Sequence, residues 1–391
     1  MDSQGFFMSQ NSDKPYCLMP WIHYHVSDNG KVKACCIANI PLGNINENSF
    51  EEIWNGEPIQ ELRTKFIKGE IDKRCSGCYK LEEAGGKSIR QETYEKFPEV
   101  IPTEITVKEK PIYFDIRFSN VCNFRCRTCW HGASSKWFQD AKKLGRNLGE
   151  KAIINNINDF NQFISETGEA LKGAKEIYFA GGEPLVTEEH YLLLDWLIEN
   201  GITDLQLRYN TNFSILKFKE YDILEYWKQF EKVEVLGSVD ATEKLGEIIR
   251  KEFNWELFLA NREKIRSFEN INFKLAPTIS ILNLAHLPQL YKTGIENNII
   301  NTEDFYINIL ERPFYYNIKA FPIEKKRQIE EEFAVFYEWC NVNTIQSSVI
   351  EYFKECIAFM NQEQLPEKYW TQFLKETSVM NELRGENIGL F

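Results

Sequence analysis

No stretch of this chain carries the roughly 18 consecutive apolar residues that a membrane-spanning helix needs, so no such helix is expected. Its first residues, MDSQGFFMSQNSDKPY, lack the basic start and apolar stretch of a secretory signal, and a cytoplasmic location follows as the expectation. An excess of positive charge is missing too. Lys and Arg number 46 against 58 Asp and Glu, a net charge of −12. Broad nucleic-acid binding depends on neutralising phosphates, so neither nucleic acid nor membrane is an expected partner. The chain has no internal repeat and no low-complexity tract, which removes solenoid and disordered classes. What it does have is bulk: 391 residues, 43% hydrophobic and 14% aromatic, enough for one large domain and a smaller one.

Against these absences stand ten cysteines. In a reducing compartment cysteines are more often ligands or catalysts than disulfides. Eight fall in the first third: Cys17, Cys35, Cys36, Cys75, Cys78, Cys122, Cys126 and Cys129. Cys340 and Cys356 lie on apparently helical, partly apolar stretches and read as small buried hydrophobes.

Four segments are expected. Residues 1–97 are rich in cysteine and short elements, and PEVIPTEITVKEKP (98–111) reads as a linker. Residues 112–312 alternate strand and helix, and residues 313–391 are helical, with Ile329, Phe333, Phe336, Tyr337 and Cys340 on one apolar face. The expected strands are 112–119, 176–180, 204–210, 233–240, 272–280 and 304–310. After the second strand Thr187 is placed to cap a helix, EEHYLLLDWLIE, which Asn200-Gly201 stops. Six strands alternating with helices predict an α/β fold of parallel units, rolled by right-handed crossovers into a partial (β/α)6 TIM-like barrel. Residues facing the lumen would include Asp115, Arg117, Arg208, Asn210, Ser238, Asp240 and Lys274. A polar lumen suits a polar ligand; ion pairs that only brace the barrel are the alternative.

The first of these strands runs into SNVCNFRCRTCW, with Cys122, Cys126 and Cys129 at Cys-x3-Cys-x2-Cys spacing. This is the strand end where βα loops build active sites. Three thiolates in one loop can hold three irons of a [4Fe–4S] cluster and leave the fourth open to a cofactor. A structural zinc would need a fourth ligand, and His131 sits too near Cys129 to supply it comfortably. In the first segment a hairpin turning at Asp28-Asn29-Gly30 would bring Cys17 to Cys35, and the Cys75-x2-Cys78 knuckle completes four thiolates. Spacing alone leaves this set open between a zinc ribbon and an iron–sulfur cluster. His23 and His25 read as structural.

The Cys122–Cys129 motif after a first strand resembles the signature of the radical S-adenosylmethionine (SAM) superfamily. Gly181-Gly182-Glu183-Pro184 at the end of the second strand resembles that family's GGEP motif, which contacts the amino group of SAM. Asn210-Thr211-Asn212 and Ser238-Val239-Asp240 end the next two strands where relatives have Thr-Asn-Gly and Ser-x-Asp near SAM. The residue before the third cysteine, commonly aromatic in the family, is Thr128 here, with Trp130 just after. The N-terminal stretch is similar to the auxiliary-cluster domain called SPASM, or its shorter twitch form, placed before the core rather than after it. It carries one cluster's worth of cysteines.

The resemblance implies SAM, a [4Fe–4S] cluster on Cys122, Cys126 and Cys129, and a second [4Fe–4S] cluster on Cys17, Cys35, Cys75 and Cys78. Gly181, Gly182, Glu183, Pro184, Asn210, Ser238 and Asp240 are the expected cofactor-binding residues. The implied activity is that of an oxidoreductase or maturase: reductive cleavage of SAM to a 5′-deoxyadenosyl radical that abstracts hydrogen from a peptide or small polar substrate. A flavodoxin or ferredoxin would supply the electron. Two alternatives compete, a zinc-binding adaptor and a cluster protein that does not turn over SAM.

Overall fold

The computed structural model describes residues 16–83, 86–100, 102 and 104–389. The first fifteen residues, on which the signal-peptide reading rests, lie outside them, as do 101 and 103 within the expected linker. Among the described residues no helix is long and apolar enough to cross a membrane.

Twelve strands are present among the described residues. They are β1 (His23–Val26), β2 (Lys31–Lys33), β3 (Pro41–Asn44), β4 (Tyr113–Ile116), β5 (Glu176–Phe179) and β6 (Gln206–Thr211), then β7 (Lys217–Phe218), β8 (Tyr221–Asp222), β9 (Lys232–Gly237), β10 (Ile271–Leu275), β11 (Thr278–Ile279) and β12 (Asn308–Ile309). Eight of them form one sheet in the order β10-β9-β6-β5-β4-β1-β2-β3. Within it β9–β10, β4–β5 and β1–β4 pair parallel, and β1–β2 and β2–β3 pair antiparallel. The fold is therefore mixed α/β with a mostly parallel sheet. All six expected strands are present, though β12 pairs with the two-residue β11, and just ahead of it Phe305 makes an isolated parallel bridge to Leu275.

The chain divides into two compact units. One comprises residues up to 119, with 154–181 and 189–207; the other comprises 120–153, 182–188 and 208 onward.

In the first unit β1 and β2 make the expected hairpin, with Val26 opposite Val32. Asn29 and Gly30 turn it with φ of 56° and 76°. A side chain at Gly30 would meet Asn46, Asn44 and the Asn156 carbonyl within 2.2–2.7 Å, so the turn needs glycine for space as well as for φ. β1 then lies parallel to β4, with Tyr24 opposite Phe114 and His25 opposite Asp115. This pairing has no signature in local sequence. Ser49 and Glu52 form a capping box that starts the helix Phe50–Trp54. That helix stacks Phe50 on Tyr24 and Trp54 in turn on Phe50. Arg63 is buried over the Trp54 ring and donates to the carbonyls of Pro20 and Ile105 and to Asn55 Oδ1.

In the second unit the alternation of burial along the end of β6 leaves Arg208 and Asn210 half-buried beside fully buried Tyr209 and Thr211. Arg208 Nε lies 2.7 Å and Lys274 Nζ 2.9 Å from Glu234, so part of the polar face is paired to itself. The helices Ile323–Val342, Ser347–Asn361 and Lys368–Arg384 account for the helical C-terminal region. Ile329, Phe333, Phe336 and Cys340 are buried on the first of these, Phe353 and Cys356 on the second.

Candidate metal centres

The segment from Asn120 to Ser135 has almost no regular secondary structure, so side chains and neighbouring backbone must set its shape. Arg125 and Arg127 donate their amides to the carbonyls of Lys251 and Ile249. Trp137 Nε1 donates to the Cys126 carbonyl at 2.6 Å, and the Cys129 amide closes a turn onto the same atom. Cys122, Cys126 and Cys129 thereby occupy one loop and perturb one another. Burial pushes the Cys122 thiol far up, with Cys126 and Glu183 adding to it. Burial and then Cys126 push Cys129 up to about 12. Burial also raises Cys126, but Arg250 opposes it: its Nη1 lies 3.9 Å from the Cys126 sulfur. Such thiols are poor thiolates unless positive metal charge offsets their burial.

The Gly-Gly-Glu-Pro turn lies directly on the start of this loop. A Cβ on Gly182 would sit 2.1 Å from the Val121 carbonyl, and the Glu183 amide donates to that carbonyl at 2.7 Å. Gly181 has φ of 113°, a conformation only glycine adopts freely. Pro184 begins a short 3-10 turn. The helix that follows starts at Glu188, while the Thr187 hydroxyl donates back to the Glu183 carbonyl. Glu183 is buried and its carboxylate accepts from Thr211 Oγ1, the Asn212 amide and the Leu185 amide at 2.7–3.1 Å. It thus ties the end of the second expected strand to the end of the third. Burial raises its pKa to about 7 despite these three donors.

Asp240 is buried and engaged. Arg250 lies 2.8–3.0 Å away, and the Thr278 amide donates to the carboxylate at 2.8 Å. Ser238 donates its amide to the Thr211 carbonyl. Asn210 keeps a buried Oδ1 with no partner among the described residues, a free acceptor of the kind a polar ligand would use. Trp130, two residues after Thr128 in the same loop, is 54% exposed. Arg250 went unnoticed in the sequence because nothing in its spacing from Cys126, 124 residues away, marks it as a neighbour.

In the first unit the four thiols Cys17, Cys35, Cys75 and Cys78 gather. The Cys17 thiol is pushed well up by burial, then by Cys35, Cys78 and Cys75 in turn. Cys35 accepts from the Ala38 amide at 3.1 Å, and Cys78 is held by the Arg90 amide and the Ser88 hydroxyl. Cys36 is exposed and has Asp115 as its leading charged neighbour, ahead of Cys35 and Arg117.

The donor spacing tests what these sets fit. Sulfurs around one tetrahedral zinc, with bonds of about 2.3 Å, must approach within roughly 3.8 Å of one another. Among the described residues, no three cysteine sulfurs lie within 4.8 Å of one another. That wider spacing, in a loop of three and a set of four, suits the iron–sulfur clusters expected for them.

A tighter group does exist. His23, His25 and Asp115 bring their ligand atoms within 4.8 Å, all buried. Its chemistry is that of an ion pair. His25 Nδ1 is 2.7 Å from one Asp115 oxygen, and Arg117 Nε is 3.4 Å from the other. The guanidinium already supplies the positive charge the carboxylate needs, and a second cation there would be repelled. Burial would raise the Asp115 pKa; Arg117 and His25 outweigh it and hold the carboxyl well below its usual range. Burial lowers His23 to about 4, so it is neutral, and its Nδ1 is 3.2 Å from the Ala34 carbonyl.

Comparison with solved structures finds the crystal structure of Streptococcus suis SuiB bound to S-adenosylmethionine. It is 14% identical, with a TM-score of 0.36 over 83% of this chain and 68% of that one. No curated protein matches. Residues 17–79 match the family model of SPASM, described as an iron–sulfur cluster-binding domain, and this stretch contains all four thiols of the first unit. The first unit thus carries an iron–sulfur cluster-binding domain of the SPASM kind.

Proposed function

We propose that the chain is a radical SAM enzyme with its catalytic [4Fe–4S] cluster on Cys122, Cys126 and Cys129 and an auxiliary [4Fe–4S] cluster on Cys17, Cys35, Cys75 and Cys78. The observation that carries this reading is the contact of the Gly182-Glu183 backbone with Val121, which joins the Gly-Gly-Glu-Pro turn to the three-cysteine loop. When bound, the cluster would supply one electron to SAM, yielding a 5′-deoxyadenosyl radical that takes hydrogen from a substrate.

The protein's own part is orientation and exclusion of water. Glu183, anchored by Thr211 and Asn212, would present its remaining lone pairs to the amino group of SAM. Gly181, Gly182 and Pro184 hold that carboxylate's backbone in place. Asn210 would use its free Oδ1, and Ser238 and Asp240 would border the same cofactor, Asp240 chiefly by holding Arg250. We read the domains as 1–97 for the auxiliary cluster, 98–111 as linker, 112–312 as a partial barrel and 313–391 as a helical extension. The substrate would be a peptide or a small polar molecule, and the electron donor a cytoplasmic flavodoxin or ferredoxin.

Anaerobic reconstitution followed by metal analysis tests the reading. About eight irons with matching sulfide are expected per chain, and incubation with SAM and dithionite should release 5′-deoxyadenosine. Replacing Cys122, Cys126 and Cys129 together by Ala should remove about four irons and all of that product. Zinc without iron would establish the adaptor reading instead. An iron-replete protein that forms no 5′-deoxyadenosine would be a cluster protein without SAM turnover.

A further inference from the structure

Arg127 sits between Cys126 and Cys129, and its side chain is fully buried. A buried guanidinium costs several kcal/mol unless it is paired. Its partners come from the far end of the chain: Nη2 donates to Asn381 Oδ1 at 2.6 Å and to Glu386 Oε2 at 2.8 Å. Glu386 reaches this place because the helix Lys368–Arg384 ends at Gly385 with φ of 61°. The left-handed residue turns the chain back, so that the Glu386 amide donates to the Asn381 carbonyl. The other Glu386 oxygen takes Lys251 at 2.7 Å.

A second contact lies beside it. Arg384, 1% exposed at its side chain, donates to Asp140 at 2.9–3.0 Å and to the Arg125 carbonyl at 2.7 Å. Arg125 itself donates to the other Asp140 oxygen. Arg384 also lies over the ring of Trp137, the residue whose indole holds the Cys126 carbonyl. Beneath these charges Trp137, Ala141 and Met380 form a buried apolar cluster against which Cys129 and Leu383 pack.

We infer that the C-terminal turn Asn381–Glu386 is a clasp that holds the three-cysteine loop in its cluster-binding shape, with Arg127, Arg384 and Glu386 as positioning residues. The inference rests on the cluster reading of that loop. The loop has little regular structure of its own, and two of its three cysteines rest on residues that the clasp covers. The Cys126 carbonyl accepts from Trp137, over which Arg384 lies, and Cys129 packs against the same Trp137, Ala141 and Met380 cluster as Leu383. Charge fits as well. Arg125, Arg127, Lys251 and Arg384 face Asp140, Glu252 and Glu386, a surplus of one positive charge. Arg127 Nε and Nη1 and Arg384 Nη1 are buried donors without partners among the described residues. An anionic thiolate cluster in the loop is the complement of such a surplus.

The test uses the full chain carrying Arg384→Met with Glu386→Ala, beside the single conservative variant Arg384→Lys. Two measurements are made: iron and reduced-cluster EPR after reconstitution, and amide hydrogen exchange of the metal-free chain. The double variant should lose about half its iron, as the triple cysteine variant does, and lose the spectral change that SAM induces. Arg384→Lys should keep both. In the metal-free double variant, amides of residues 122–129 should exchange about tenfold faster, while those around Cys17–Cys35 stay as they were. Unchanged exchange in 122–129 overturns the clasp whatever the iron content. If the wild-type chain holds no more iron than the triple cysteine variant, the cluster reading of the loop fails instead, and exchange still decides the clasp.

Discussion

Arg250 places a guanidinium 3.9 Å from the sulfur of Cys126 while two of its nitrogens hold Asp240. Hydrogen bonds and positive charge at cluster sulfurs raise the reduction potential. Arg250→Met should therefore lower the midpoint potential of the loop cluster, by about 65–130 mV for a one-electron couple and a charge-assisted bond of roughly 1.5–3 kcal/mol. Asp240→Asn removes the opposing negative charge and should move the midpoint the other way. An EPR-monitored redox titration reads both signs, and shifts of the same sign would refute the pairing. Glu183 makes a pH-dependent prediction for the metal-free chain. Its folded pKa, about 7, lies above the ordinary carboxylate value because the site is buried. Between pH 4.5 and 7 the folded state keeps a proton that the unfolded state has released, so stability must fall as pH rises through that window. Urea unfolding across this range should show the decline. Glu183→Gln should flatten it, even though losing the acceptor for Asn212 lowers stability at every pH.

At the scale of elements, the strands were legible because their periodicity and their Gly, Pro and Asn stops are local. The turn at Asn29-Gly30 was legible for the same reason. The pairing of β1 with β4 was not, since Tyr24 and Phe114 stand 90 residues apart and parallel register leaves no local mark. Arg208 and Lys274 are expected on a polar face, and both lie on Glu234, which the sequence does not single out. Sequence shows which residues are polar and does not say which of them satisfy one another. Glu234 is mostly buried, so Glu234→Ala leaves two cations facing each other without their carboxylate. The expected cost is about 2–3 kcal/mol, somewhat below the roughly 3–5 of a fully buried pair, read as a lowered urea midpoint with unchanged m-value. An unaltered midpoint would mean that Arg208 and Lys274 do not depend on Glu234. Gly182→Ala tests a tighter constraint, since its new methyl would meet backbone atoms of Asn120 and Val121 on a turn that cannot give way. The expected result is a loss of about 1–3 kcal/mol together with lowered iron in the loop site.

At the scale of the whole molecule, the two cysteine sets were visible in sequence as clusters of spacing, but their separation was not. Cys17, Cys35, Cys75 and Cys78 fall within the first compact unit, and Cys122, Cys126 and Cys129 within the second. The charged groups that perturb each set also belong to its own unit: Arg90, Asp72 and Asp115 for the first, and Arg250, Asp240 and Glu183 for the second. Sites that share no partners respond additively to substitution. Cys75→Ala with Cys78→Ala should therefore remove about four irons and leave dithionite-driven release of 5′-deoxyadenosine near the wild-type rate. The Cys122, Cys126 and Cys129 triple variant should remove the other four or so and abolish the release, and the two deficits should sum to the wild-type iron content. If loss of the first set also empties the second, the cysteine sets are coupled through folding, and the two units do not hold their metals independently.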